Sequence, residues 1–178
     1  KWVPLLAENF KFVIAADISV TNLAIAKEKN AKFINVEYVA MDMSADTLTI
    51  TPCDVAVCIN AILTDSLPKR INFFQSLNIS INKNGHLVLV VPSIESKLYT
   101  NIIANRWNVD GDHDEKIASS KKAFELAKNI KQGVTDIDDV PTKHYLKEEL
   151  ELLLALEGFE VMQVEKINYT WKTEFTNP

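Results

Sequence analysis

The sequence is poor in glycine and cysteine, and each deficit excludes a class of protein. Only four of its 178 residues are glycine, and their positions rule out both GxGxxG and GxxxxGKS/T phosphate-binding loops within this chain. Two cysteines, Cys53 and Cys58, are too few for a secreted disulfide framework. In an extended strand they would stand roughly 16 Å apart, beyond the ~7 Å limit for a bridge. We therefore expect free thiols in a reducing, cytoplasmic environment.

Positive charge and long apolar segments are also scarce. Lysine and arginine number 19 against 24 aspartate and glutamate residues, which gives a formal net charge of −5. An acidic chain is a poor partner for nucleic acid or an anionic membrane surface, and we expect neither. No apolar run approaches the ~18 residues that span a bilayer, and clean runs such as Leu87–Val91 have the length of a strand. With 47% hydrophobic residues, we expect one globular domain over residues 1–178.

The sequence does contain a repeated alternation of short apolar runs with helix-forming segments. The apolar residues in each run largely follow one another without alternating with polar residues, which is typical of strands buried on both faces of a parallel sheet. Helices are predicted between them, one after a Ser19 cap and another after a Ser66 cap with Pro68 in its first turn. This order predicts an α/β fold with helices on both faces of a mostly parallel sheet. The four runs are Phe12–Ala16, Asn35–Met41, Asp54–Ile59 and His86–Val91.

Polar residues follow three of these strands at the point where each strand ends. They are Asp17, Asp42 and Asn60. In open α/β sheets, ligands bind in the crevice outside the carboxyl ends of the strands, so these residues mark a candidate ligand site. Each also has an ordinary structural explanation. Asp17 could cap the helix that follows it, and Asp42 and Asn60 could be turn residues.

The C-terminal half departs from this rhythm twice. Residues 93–145 are expected to form a lid-like insert with helices at Ile94–Arg106 and Lys121–Gln132. After an amphipathic helix, Lys147–Glu157, the chain alternates apolar and polar residues over Phe159–Glu165, and a second, looser alternation follows. This pattern predicts an antiparallel pair of strands at one edge of the parallel sheet.

One acidic cluster, Asp110–Glu115, invites comparison with a calcium-binding loop. Asp110, Asp112 and Asp114 match the first three ligands of such a loop. The turn glycine and the closing glutamate should follow at positions 115 and 121, where the sequence has Glu and Lys. We therefore interpret the cluster as a solvated loop and expect no metal site.

Taken together, these segments resemble the class I S-adenosylmethionine-dependent methyltransferases, whose Rossmann-like sheet has this order of elements. No single segment is specific, but six of them occur in the family's order and spacing. The resemblance implies that the family's first strand and glycine-rich loop precede Lys1, since neither is present here. The matching segments are KWVPLLA (1–7), FVIAADIS (12–19), VAMDM (39–43), CDVAVCIN (53–60), INKNGHLVLVVPS (81–93) and TKHYLKEELELLLALEGFEVMQV (142–164).

The resemblance implies a role for each residue at the strand ends. Asp17 would accept hydrogen bonds from the two ribose hydroxyls of S-adenosylmethionine, because a carboxylate offers two acceptor oxygens. Asp42 would accept from the adenine amine, with Ile18 and Met43 packing against the ring. Asn60 would lie near the methionine part of the cofactor.

The acceptor side of the implied site is less defined. Trp107, His144 and Tyr145 are candidate substrate contacts, the first from the expected lid and the others from the segment before the last helix. No catalytic base is assigned, because placing nucleophile, methyl and sulfur in line is itself a large part of such a displacement. The resemblance therefore implies an enzyme that methylates a small-molecule acceptor. Two alternatives stay open, a non-catalytic module of the same fold and a nicotinamide-dependent dehydrogenase.

Overall fold

The protein is a mixed α/β chain whose contacts fall into two units. A computed structural model describes residues 2–45, 50–107, 132–137 and 139–167, with 101–107 described as backbone only. Lys1–Thr49 forms one unit and Ile50–Pro178 the other, and each holds a pair of parallel strands. None of the helices in these ranges combines the length and apolar character needed to cross a membrane. The grouping of residues 1–178 as one domain stays a prediction.

The first unit is a strand–helix–strand motif preceded by a short helix. β1 and β2 pair in parallel, with Asp17 opposite Ala40 at the carboxyl end, as their continuous apolar runs predict. Parallel neighbours need a crossover connection, and α2 supplies it. Ser19 caps α2 as predicted, its hydroxyl accepting the Asn22 N–H at 3.2 Å. The elements are α1 (Val3–Asn9), β1 (Val13–Asp17), α2 (Val20–Lys29) and β2 (Val36–Ala40).

The second unit is built on another parallel pair, in which β3 (Cys53–Ile59) is connected to β4 (Ile81–Val90) by α3 (Leu67–Ile79). Phe74, Leu77 and Arg70 of α3 are buried, whereas Ile71 is 37% exposed.

The predicted cap of α3 is wrong. Ser66 does precede the helix, yet its side chain makes no capping hydrogen bond. A capping hydroxyl accepts from the second or third N–H of a helix, and here the second position is Pro68, which has none. Leu67 therefore starts α3 without help from the serine hydroxyl.

β4 begins at Ile81 rather than at His86. Between these residues the chain bulges out of its ladder with β3. The Asn84–Gly85 turn forms the bulge, with Asn84 in the left-handed region at a φ of 68°. A Cβ added to Gly85 would lie 2.8 Å from the Asp54 carbonyl oxygen, so the bulge packs too closely for a side chain there.

After β4 the chain forms a helix, a hairpin and a second helix. α4 begins at Ile94 as predicted. β5 (Val134–Ile137) and β6 (Val140–Lys143) pair antiparallel and form a hairpin that the sequence did not predict, directly after the end of the second expected helix. The other expected helix, Lys121–Gln132, lies outside the described residues except for its last position, as does the cluster Asp110–Glu115. Whether residues 93–145 act as a lid stays a prediction. The elements are α4 (Ile94–Trp107), β5 (Val134–Ile137), β6 (Val140–Lys143) and α5 (Lys147–Leu156).

Two expectations about the sheet are not met within the described ranges. The strands there form three two-stranded sheets instead of one continuous Rossmann-like sheet. A sheet is continuous only where neighbours share hydrogen bonds, and no described strand pairs with the second edge of either parallel pair. The predicted strand Phe159–Glu165 is also wrong, because residues 159–167 belong to no ladder. Its predicted partner strand, Ile167–Phe175, lies outside the described residues except for Ile167.

Candidate functional site

The carboxyl edge of the β1–β2 pair carries four of the residues predicted to bind a cofactor. Because the strands run parallel and in register, the residues that follow them emerge side by side. The Met41 N–H donates to the Asp17 carbonyl oxygen at 3.0 Å, and Asp42 comes next along the chain. Ile18 follows Asp17, and Met43 follows Asp42. All four predicted residues therefore lie at one edge of this pair.

Asp17 also has a structural role at this edge. Its Oδ1 accepts the Ser19 N–H at 2.8 Å, which fixes the turn that leads into α2. Asp17 therefore stabilises the turn before α2, whereas the cap of the helix itself is Ser19 and not Asp17. It does not exclude ligand binding, because a carboxylate has about four acceptor sites and this bond occupies one of them.

Asp42 organises a tight turn after β2. Its Oδ1 accepts both the Ser44 N–H at 2.8 Å and the Ser44 hydroxyl at 2.6 Å. Asp42 is exposed and Met43 is half-buried, whereas Ile18 is 72% exposed. An aliphatic side chain this exposed beside two carboxylates gives the edge both an apolar surface and hydrogen-bond acceptors.

Asn60 ends β3 in the second unit. Its N–H donates to the Val90 carbonyl oxygen at 2.9 Å and closes the ladder with β4. Its φ of 50° lies in the left-handed region, which asparagine tolerates better than most residues. The turn role anticipated for Asn60 is therefore present, and its exposed side chain stands at the carboxyl edge of the β3–β4 pair.

The segment Thr142–Leu146 lies against this same edge. The Lys143 N–H donates to the Leu63 carbonyl oxygen at 2.8 Å, in the loop after β3. The Tyr145 N–H donates to the Pro92 carbonyl oxygen at 2.9 Å, in the loop after β4. Two of the three predicted acceptor-side residues, His144 and Tyr145, are thus placed at the carboxyl edge. The side chain of the third, Trp107, lies outside the described part of the chain.

Tyr145 is buried together with its hydroxyl group. It is 2% exposed, and its O–H donates to the Ile62 carbonyl oxygen at 2.9 Å. Burial raises the pKa of the Tyr145 phenol well above its usual range, so the hydroxyl stays protonated at neutral pH. The Tyr145 hydroxyl proton is therefore used in the hydrogen bond that joins the Thr142–Leu146 segment to the loop after β3.

A cavity of about 460 Å³ opens beside this segment, entirely within the second unit. Three polar side chains that line it, Arg70, Lys143 and His144, are at least 94% buried. Arg70 and Lys143 were not predicted as site residues from the sequence. Arg70 stands at i, i+4 and i+7 with Phe74 and Leu77, so an arginine on the apolar face of α3 was a signal available in the sequence. The remaining lining residues are Ile94, Leu98, Gln132, Gly133, Leu146 and Glu149.

Arg70 is fixed in orientation by backbone carbonyls. Its Nη1 donates to the carbonyl oxygens of Thr64 and Asp65, at 2.9 and 2.7 Å. These two bonds tie the start of α3 to the preceding loop. They also hold the planar guanidinium still, so that it can act as a preorganised donor.

Lys143 is 1% exposed and is held by an ion pair and a carbonyl. Its Nζ lies 2.6 Å from a Glu149 carboxylate oxygen and donates to the Gln132 carbonyl oxygen at 2.9 Å. It also lies 4.8 Å from the centre of the Tyr145 ring. Burial lowers the pKa of Lys143, while the hydrogen bond and charge of Glu149 act in the opposite direction. The lysine and glutamate therefore neutralise each other within the cavity wall.

His144 is held in one tautomer by its neighbours. Its Nδ1 lies 3.0 Å from the Thr142 carbonyl oxygen and 3.2 Å from the Thr135 hydroxyl. Because a carbonyl oxygen can only accept, Nδ1 carries the proton. Burial, the largest effect, lowers the pKa of His144, and the nearby Lys97 and Lys143 lower it further. The neutral ring at pH 7 then leaves a lone pair on Nε2.

Among the described residues, no three His, Cys, Asp or Glu side chains lie close enough together to hold a metal ion. The two cysteines are free thiols there, and burial raises the pKa of Cys58 to about 11, which disfavours a nucleophilic thiolate.

Comparison with known proteins finds solved structures of similar fold. No family model matches the sequence, and no curated protein matches it. The chain is similar to PKMT2 from Rickettsia typhi, with a TM-score of 0.50 and 19% sequence identity. The match covers 81% of this chain and 33% of that protein, so the chain spans about a third of its length. At this identity the likeness concerns the fold alone, and it supports a methyltransferase-like fold.

Proposed function

We propose that the protein is an S-adenosylmethionine-dependent methyltransferase that acts on a small-molecule acceptor. The observation that carries the proposal is the joint position of Asp17 and Asp42 at the carboxyl edge of a parallel pair, where α/β folds bind ligands. The methyltransferase-like fold supports it. The substrate class and the cytoplasmic location are part of the proposal.

The edge of the β1–β2 pair fits the nucleoside half of the cofactor. Asp17 uses Oδ1 for the turn into α2, so its other oxygen would accept from the ribose hydroxyls. The adenine ring would cover the exposed Ile18, with Met43 beside it and Asp42 accepting from the exocyclic amine. Burying an aliphatic side chain of this size is worth about 1.5–3 kcal/mol, which gives the exposed isoleucine a function. Asn60 is proposed near the methionine half.

The cofactor would supply an activated methyl group, and the chain's residues would do the positioning. Holding the acceptor atom in line with the methyl carbon can contribute up to ~7–11 kcal/mol by proximity alone. The neutral His144 in the cavity has an Nε2 lone pair suited to receive a proton from an acceptor hydroxyl or amine. His144 is therefore proposed on the acceptor side of the site.

Titration calorimetry with S-adenosylmethionine and with its demethylated product tests the proposal. We expect micromolar binding of at least one. Asp17→Ala should weaken it by about ten- to a hundredfold, since hydrogen bonds to a charged group are worth roughly 1.5–3 kcal/mol. Asp136→Ala removes the same charge from an exposed position in β5 and should leave affinity unchanged.

The opposite result is equally clear. No heat with either ligand, together with binding of a nicotinamide dinucleotide, would replace the proposal with a dehydrogenase. If Asp17→Ala lowers the melting temperature but not the affinity, the carboxylate only serves the turn at Ser19.

A non-catalytic module is the second candidate function. Such a module would keep or lose cofactor binding and would serve as a partner subunit. Cofactor binding without methyl transfer to any small acceptor tested, or stable binding of a partner protein, would favour this alternative.

A further inference from the structure

We propose that the cavity lined by Arg70, Lys143 and His144 binds a small organic acid through its carboxylate, with the apolar body of the acid against Ile94, Leu98 and Leu146. This deepens the proposed function by naming the class of acceptor. Only the methylation of the bound acid rests on the proposed function, and the binding of the acid can be tested separately.

The charges of the cavity wall favour a monoanion. Lys143 and Glu149 form an ion pair 2.6 Å apart and cancel each other. The lowered pKa of His144 keeps its ring neutral at pH 7. Arg70 remains, a guanidinium that is 6% exposed and has no carboxylate within ion-pairing distance among the described side chains. A buried cation without a counter-ion is costly, and a single negative charge would balance it.

The geometry of Arg70 favours a carboxylate. Both of its side-chain hydrogen bonds leave from Nη1, to the carbonyl oxygens of Thr64 and Asp65. Within the described ranges no hydrogen bond leaves from its Nη2 or Nε. These two nitrogens form the side of the guanidinium that binds a carboxylate through two parallel hydrogen bonds.

Size and lining define the rest of the ligand. A volume of about 460 Å³ lies in the usual range of ~300–1,000 Å³ for small-molecule sites. Three aliphatic side chains in the wall favour an acid with an apolar body over one with several hydroxyl groups. A phosphate ester would bring nearly two negative charges into a cavity whose wall carries one net positive charge, that of Arg70. It should therefore bind less tightly than a carboxylate.

Three probes of equal chain length separate the possibilities. Hexanoate carries one charge, hexanamide carries none, and hexyl phosphate carries nearly two. We expect hexanoate to bind at least about tenfold more tightly than hexanamide. Hydrogen bonds to a charged group are stronger than neutral ones, and the difference corresponds to roughly this ratio of affinities. Hexyl phosphate should bind more weakly than hexanoate. Measuring all three without S-adenosylmethionine makes the result independent of methyl transfer.

A matched pair of variants locates the binding. Arg70→Met could unfold the protein, because it removes donors from two loop carbonyls. Leu98 is 42% exposed and lines the cavity, so it tolerates polar replacement. Leu98→Glu places a negative charge in the wall, and Leu98→Gln has the same shape without the charge. Hexanoate should lose about tenfold more affinity with Leu98→Glu than with Leu98→Gln, while hexanamide binds the two equally.

Several outcomes would overturn the proposal. These are failure of hexanoate to bind, equal affinity for hexanoate and hexanamide, tighter binding of hexyl phosphate, or equal effects of the two Leu98 variants. If hexanoate binds as expected but S-adenosylmethionine does not, the acid site stands and the proposed function fails.

Discussion

Tyr145→Phe tests whether the phenol hydroxyl fastens the Thr142–Leu146 segment to the loop after β3. The change removes one oxygen and keeps the ring, so packing and the contact with Lys143 persist. The variant loses the hydrogen bond that the Tyr145 hydroxyl donates to the Ile62 carbonyl oxygen at 2.9 Å. Ile62 is only 1% exposed, so water cannot readily replace the lost donor. A buried acceptor left without its donor costs about 1–3 kcal/mol. We expect the free energy of unfolding to fall by that amount.

Urea unfolding followed by circular dichroism measures this directly. The midpoint should move to lower urea with an unchanged slope, because the surface exposed on unfolding is the same. Thermal melting should fall by roughly 2–4 °C for each kcal/mol in a chain of this size. Tyr99→Phe is the matched control, since Tyr99 is 58% exposed. A loss for Tyr145→Phe within ~0.5 kcal/mol of that control would refute the reasoning.

Two further predictions concern the hairpin and the histidine of the cavity. Gly133→Ala should destabilise more than Gly158→Ala, by at least about 1 kcal/mol in urea unfolding. Both glycines have positive φ, but only at Gly133 would the new Cβ lie 2.5 Å from the His144 carbonyl oxygen; equal losses would contradict this. The lowered pKa of His144 means that the unfolded state binds a proton first as pH falls below ~6.5. Stability should therefore drop from pH 7 towards pH 5, and His144→Gln, but not His86→Gln, should reduce that drop; an unchanged drop in His144→Gln would contradict it.

Sequence patterns predicted the elements whose cause is local. β1 follows from a continuous apolar run, and the start of α2 follows from Ser19, because both depend on residues close in the chain. The placement of Asp17 and Asp42 at one edge needed only the additional rule that crossovers make neighbouring strands parallel. The candidate cofactor edge was therefore accessible from the sequence.

The elements that depend on distant partners were not predicted. β5 and β6 have four residues each and include Asp136 and Pro141, which are unfavourable in strands, so their mutual pairing and the contact of β6 with the loop after β3 stabilise them. The stretch after Gly158 shows the opposite case. Its alternating pattern predicts a strand, but no described strand lies beside it and it forms none. The cavity combines Arg70 with Lys143, residues far apart in sequence, and burial of two cations together cannot be inferred from either local pattern.

The bridge between Ser93 and Tyr145 has a consequence for how this protein can vary. The Ile94 N–H donates to the Tyr145 carbonyl oxygen at 3.1 Å, so the chain leaves the β4 edge and returns to the same point. The two ends of the intervening segment are held together by these contacts, whatever the number of residues between them. Doubling the length of a flexible loop costs only about 0.6 kcal/mol of closure entropy. Changes of chain length between these two ends, outside α4 and the β5–β6 hairpin, therefore cost little closure entropy, and one framework can support enclosures of different size.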